Sequence, residues 1–115
     1  MAAGNSNFMA GVPELMILRL LQDREMYGYE LVQAIRAQTR AVVQLSEGVV
    51  YPVLHGLEKD GALKSQRREV GGRSRVYYSL TSRGARRLFD LTDNWTALSG
   101  AVQAVLKGAP HARPV

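Results

Sequence analysis

Apolar residues recur along the last third of the chain at Leu88, Leu91, Trp95, Leu98, Val102 and Val105, with spacings of 3, 4, 3, 4 and 3. That rhythm is the a/d seam of a coiled coil. It predicts one helix from a Thr81 cap to Leu106 or Lys107, roughly 25 residues long. No apolar segment follows to cover the seam, so a second copy of the chain is expected to do so. Gly100 falls inside this helix and costs on the order of 1 kcal/mol, which packing is expected to offset. A first helix is expected from about Pro13, a residue suited to the first helical position, to about Asp23. Between them only Arg19 and Gln22 interrupt Leu15, Met16, Ile17, Leu18, Leu20 and Leu21, so this helix is buried on several sides.

Met26–Arg40 has helical spacing, with Leu31, Val32 and Ile35 inward. Residues 41–45 fit either a short strand or a turn. Ser46 then opens a third helix as N-cap, with Glu47 against its positive end, Val50, Val53, Leu54 and Leu57 inward, and Gly61 closing it. After Gly61 the period changes to two. Residues 62–70 and 74–80 read as strands joined across Gly71, Gly72 and Arg73. In the second, Val76, Tyr78 and Leu80 share one face, and Arg75, Tyr77 and Ser79 the other. Residues 1–8 and 108–115 read as flexible ends.

Three helices followed by a hairpin is the order of a winged helix-turn-helix. The expected class is α+β, mainly α, with a winged-helix domain over 9–80 and a C-terminal dimerisation helix over 81–107 packed as part of the same domain. In that arrangement the third helix enters the major groove of DNA. Its unusual residues then acquire uses. Gly48 removes a side chain where DNA backbone could approach, and Ser46 leaves first-turn amides free for a phosphate. Pro52 cannot donate to the Gly48 carbonyl, so the first turn is expected to be loose or tight, settling into regular helix only from about Pro52.

Charge reinforces this reading. The net charge of +5 is unevenly spread: residues 1–63 carry −2 and residues 88–115 are neutral. Residues 64–87 carry Lys64, Arg67, Arg68, Arg73, Arg75, Arg83, Arg86 and Arg87 against Glu69 alone. Such an arginine-rich block is the footprint of a polyanion-binding surface. There is no cysteine, and His55 and His111 are the only histidines, so thiolate chemistry and a histidine metal cage are excluded. The chain has neither paired carboxylates in a pocket-like pattern nor a phosphate-cradling glycine loop, so no catalysis and no cofactor are expected. Without a secretory signal or a stretch of about 18 apolar residues, a cytoplasmic protein with no membrane partner is the default.

MYGYEL, SEGVVYPVLHGLEKDGAL and GGRSRVYYSLTSRG, in that order, resemble the PadR family of bacterial transcriptional regulators across about residues 12–106. The single C-terminal helix is similar to the short branch of that family. The resemblance implies a winged-helix homodimer that represses by binding a palindromic operator in double-stranded DNA and leaves it on binding a small molecule. Carried over by position, Tyr27 and Tyr29 would open the second helix with hydroxyls near phosphates, packing being their competing role. Ser46, Gly48, Val49 and Tyr51 would face DNA, Val49 against a thymine methyl and Tyr51 on phosphate or sugar, with core packing the competing role of Tyr51. Glu47 could accept from a cytosine amine or simply serve the helix end, and His55 could reach the groove or stand exposed. Arg67, Arg68, Arg73 and Arg75 would meet phosphates from the wing, with Arg73 at its tip suited to a minor groove.

Trp95 sits mid-seam, where two copies would approach each other. It either anchors the interface or forms a slot in which a planar aromatic or cationic ligand stacks, with Phe8, Val12, Leu15, Leu91, Leu98 and Ser99 as neighbours. Drug-sensing members of the family carry a tryptophan in this helix. Asp90 and Asp93 could attract a cation or be ordinary surface acids. The competing readings are a constitutive winged-helix regulator without a ligand and a winged helix used for protein or RNA contact.

Overall fold

Among the described residues, four helices and a three-stranded sheet enclose a core to which all four helices and one sheet face contribute. The computed structural model describes residues 2–108, with side chains from Gly11 onward. The elements are α1 (Ala2–Asp23), β1 (Met26–Tyr27), α2 (Gly28–Gln38), α3 (Glu47–Lys59), β2 (Leu63–Val70), β3 (Arg73–Leu80) and α4 (Ser82–Lys107). Ile17 and Leu18 of α1, Leu31 and Ile35 of α2, and Val50 and Leu54 of α3 are fully buried together. Each such side chain contributes about 1.5–3 kcal/mol relative to exposure, so these six dominate the cohesion of the three helices. Met26 of β1, Leu63 of β2 and Tyr78 of β3 supply the sheet's share of the core, with Val76 and Leu80 packed beside them. Burial pushes the Tyr78 phenol above its ordinary pKa.

The sheet is antiparallel in the order β1-β3-β2. Gly71 and Gly72 both take positive φ, 58° and 78°, so the hairpin closes through a two-residue turn that non-glycine residues resist. Thr81 ties α4 to the sheet. Its hydroxyl accepts from the Gly84 amide at 3.0 Å and lies 2.6 Å and 3.0 Å from the carbonyl oxygens of Gly61 and Ala62.

The structure departs from the sequence reading at several points. α1 begins at Ala2 rather than near Pro13, so the segment expected to be a flexible end is helical. The missing amide of Pro13 costs α1 one hydrogen bond, and the helix nevertheless runs through it. The second helix is shorter than Met26–Arg40. Met26 and Tyr27 pair with Tyr78 and Tyr77 of β3 instead, and Arg40 and Ala41 turn left-handed at φ 52° and 63°. Of the two readings left open for residues 41–45, the structure has the turn. α3 is already helical from Glu47 rather than only from about Pro52, and its first turn is the tight one of the two forms expected, with Val49 N bonding Ser46 O at 3.0 Å. Ser46 has N-cap backbone geometry but makes no side-chain cap bond. Gly100 faces open space, so no local packing offsets its weak helix propensity. The expected end at 108–115 lies, from residue 109, outside the described residues.

Candidate nucleic-acid interface

The inward positions of α3 define what it offers outward. Val50, Leu54 and Leu57 are buried, while Glu47, Gly48, Val49, Pro52, His55, Gly56 and Lys59 are exposed. Ser46 is exposed at the same end, and the first-turn amides of Glu47 and Gly48 have no helical carbonyl to bond. The result is a narrow, low-relief ridge with an anion-compatible end. Pro52, Gly56 and Lys59 are absent from the sequence-derived site, although the complement of the inward positions points to them.

Tyr51 belongs less to this ridge than expected. It is half-buried against the core, and a Cβ at Gly28 would lie 2.5 Å from its Cζ. Its ring therefore rests on the Gly28 backbone and locks α3 to the start of α2, and it lies 6.1 Å from the His55 ring. Tyr29 is 49% exposed, available at the first turn of α2, whereas Tyr27 faces the wing. A groove of about 330 Å³ beside Ser46 is lined by Gln33, Arg36 and Gln44 with Val32 and Leu45. Sequence reasoning missed Arg36 because the net charge of residues 1–63 conceals it.

The wing arginines divide into two kinds. Arg67 and Arg73 are exposed, and Arg67 donates to the Ser74 hydroxyl at 3.1 Å. Arg68 instead pairs with Glu25, bonds Gln66 Oε1 at 3.1 Å, and lies 5.0 Å from the Tyr77 ring centre. Arg75 lies 4.4 Å from the Tyr27 ring centre, and Tyr27 meets Tyr77 edge-on at 5.4 Å. The hydrogen bond from Arg68 to Glu25 raises the Arg68 pKa further above its ordinary value. Arg87 is likewise engaged, with Glu14, while Arg83 and Arg86 are exposed at the start of α4.

Along α4 the seam splits. Leu88 is buried in the core of its own chain, so it is not an exposed interface residue as expected. Leu91 is half-buried, Trp95, Leu98 and Val102 are 41%, 44% and 46% exposed, and Val105 is 80% exposed. Gly11, Val12, Leu15, Leu91, Asn94, Trp95 and Leu98 line an apolar groove of about 190 Å³ between α1 and α4. It gathers Val12, Leu15, Leu91, Trp95 and Leu98 of the expected ligand set, but not Ser99. The side chain of Phe8 lies outside the described residues. A larger apolar groove, about 440 Å³, opens between α1 and α2 and includes Leu15, Met16, Leu20 and Ile35.

Among the described residues no cluster of three or more acidic, histidine or cysteine side chains could hold a metal. No described helix is long and apolar enough to cross a membrane.

Helices α2 and α3 with the β2–β3 hairpin define a winged helix-turn-helix protein. The model of the transcriptional regulator PadR-like family matches residues 17–90, and the chain belongs to that family, whose members are DNA-binding regulators rather than enzymes. It is 36% identical over 104 residues to Transcriptional regulator Rv3488 of Mycobacterium tuberculosis, covering 90% of this chain and 92% of that protein. A solved PadR-like transcriptional regulator from Bacillus cereus is 30% identical, with a TM-score of 0.76 over 90% of this chain and 100% of that one. A Streptococcus mutans structure is 31% identical, with a TM-score of 0.78 over 92% and 94% of the two chains.

Proposed function

We propose that the protein is a homodimeric repressor that places α3 of each subunit in successive major grooves of a palindromic operator. The exposed ridge of α3 beside the exposed wing arginines Arg67 and Arg73 carries this reading. Ser46, Gly48 and Val49 approach base edges and backbone, Arg36, Arg67 and Arg73 meet phosphates, and Tyr29 adds a hydroxyl at the backbone. The apolar stripe of Leu91, Trp95, Leu98, Val102 and Val105 supports dimerisation, because a solvated face of that kind is costly and a second copy offers the complementary one. The test is titration of the protein into duplex DNA selected by it from a random pool, repeated across salt concentrations. Binding should weaken steeply with salt, by a log–log slope of about −0.9 for each phosphate neutralised. Equal affinity for single-stranded RNA, or a flat salt response, would overturn it.

Release by a planar aromatic or cationic ligand is the second element of the proposal. The groove lined by Trp95, Leu98 and Val12 favours it, because two copies related across the seam would face these grooves towards each other. Saturable quenching of Trp95 fluorescence by such compounds, antagonised by operator DNA, supports a coupled site. Intact DNA binding with no quenching by any compound leaves a constitutive regulator.

A further inference from the structure

The outer face of the wing carries an unusual chain of contacts. Tyr27 lies opposite Tyr77, Gln66 lies on the other side of Tyr77, and Arg68 lies opposite Arg75 one row nearer the tip. Glu25 immediately precedes β1 and so lies beyond Tyr27, towards the root of the hairpin. To meet Glu25, the Arg68 side chain must turn back across Tyr77, away from the Gly71–Gly72 tip. Arg75 turns the same way, onto Tyr27. Two of the four wing arginines are therefore spent on the wing's own face, joining it to the segment between α1 and α2. Two cations directly opposite each other on one sheet face repel. Here each is flanked by an aromatic face, and one also by a carboxylate, so the repulsion is absorbed locally.

We infer that Glu25 is a positioning residue for DNA binding: through Arg68 and Tyr77 it fixes the angle of the wing relative to α3, so that Arg67 and Arg73 arrive in register with the phosphates. This rests on the winged-helix reading of DNA binding given above. It also reverses an electrostatic expectation. Removing a carboxylate from a DNA-binding surface ordinarily raises affinity. If Glu25 positions the wing, its removal lowers affinity.

The experiment compares full-length wild type, Glu25→Gln, Arg68→Ala, Arg73→Ala and the exchanged pair Glu25→Arg with Arg68→Glu. Each is titrated against the pool-selected duplex over a range of salt, and amide hydrogen exchange in residues 63–80 is followed without DNA. Glu25→Gln and Arg68→Ala should each weaken binding about threefold to tenfold with an unchanged salt slope, and wing amides should exchange faster. Arg73→Ala should reduce the slope by about 1. The exchanged pair should recover affinity over either single change. A phosphate contact by Arg68 forbids that recovery, because a carboxylate at position 68 would repel the DNA backbone. Unchanged or tighter binding by Glu25→Gln, or an Arg68→Ala slope reduced as in Arg73→Ala, overturns the inference. If the wild type binds no duplex, the functional reading fails, and the exchange rates alone decide the brace: unchanged wing protection in Glu25→Gln removes it.

Discussion

Two glycines of α4 should respond in opposite directions to the same substitution. Gly84 sits in the first turn, where an added Cβ would collide with the Ala62 carbonyl oxygen and lie 2.8 Å from Leu80 Cδ1. The Ala62 carbonyl is held by the Thr81 amide at 3.1 Å and by the Thr81 hydroxyl at 3.0 Å, so it cannot retreat without loosening both bonds. Ordinary carbon–carbon contact is about 3.5–4.0 Å, so α4 must shift by about 0.7 Å or more. Overpacking of this kind costs about 1–3 kcal/mol, and weakening two hydrogen bonds adds about 1 kcal/mol each. The better helix propensity of alanine returns about 1 kcal/mol. Gly84→Ala should therefore lose about 2–4 kcal/mol. Gly100 meets nothing within 4 Å of a built Cβ and lies opposite the apolar seam. Gly100→Ala should gain about 1 kcal/mol. Urea denaturation followed by circular dichroism, at one fixed protein concentration, measures both. A Gly84→Ala protein within about 0.5 kcal/mol of wild type would refute the junction argument. A destabilising Gly100→Ala would show that this face of α4 is covered.

Thr81→Ala removes the acceptor for the Gly84 amide and the hydroxyl partner of the Gly61 and Ala62 carbonyls, and should cost about 1–2 kcal/mol in the same urea assay. Leu98→Asp places a charge in the exposed seam and should convert a dimer to monomers in light scattering, while the buried core holds the winged domain folded; an unchanged mass would move the interface elsewhere. Trp95→Ala should weaken binding of aromatic ligands more than operator binding; equal loss of both would leave the tryptophan as an anchor only.

Much of the fold is legible in the sequence because local signals agree with each other. The switch from 3.6 to 2 after Gly61, the paired glycines at the hairpin tip and the threonine before α4 each specify a local geometry, and the structure has all three. What escapes is decided by distant partners. Met26 and Tyr27 carry no strand period of their own and are extended because β3 offers them an edge. The heptad spacing places Leu88 in line with Val105 but does not say which belongs to the chain's own core, a distinction set by where α4 leaves the sheet. The motif match sets Tyr51 towards DNA with core packing as its competing role, and the contact of its ring with Gly28, 23 positions earlier in the chain, is not written in the motif. A charge tally groups Arg68 with the rest of the wing because nothing in it connects Arg68 to Glu25, 43 residues away.

The measurement that bears most directly on the whole account is a hydroxyl-radical footprint of the full-length protein on its pool-selected duplex, with stoichiometry read from the same titration. Two chains should bind per duplex and protect two patches on one face of the DNA, about 10 base pairs apart centre to centre. The patches should fade together as salt rises. A single protected patch with one chain bound, or no defined patch at all, would contradict a dimer that presents two copies of α3 to a palindromic operator.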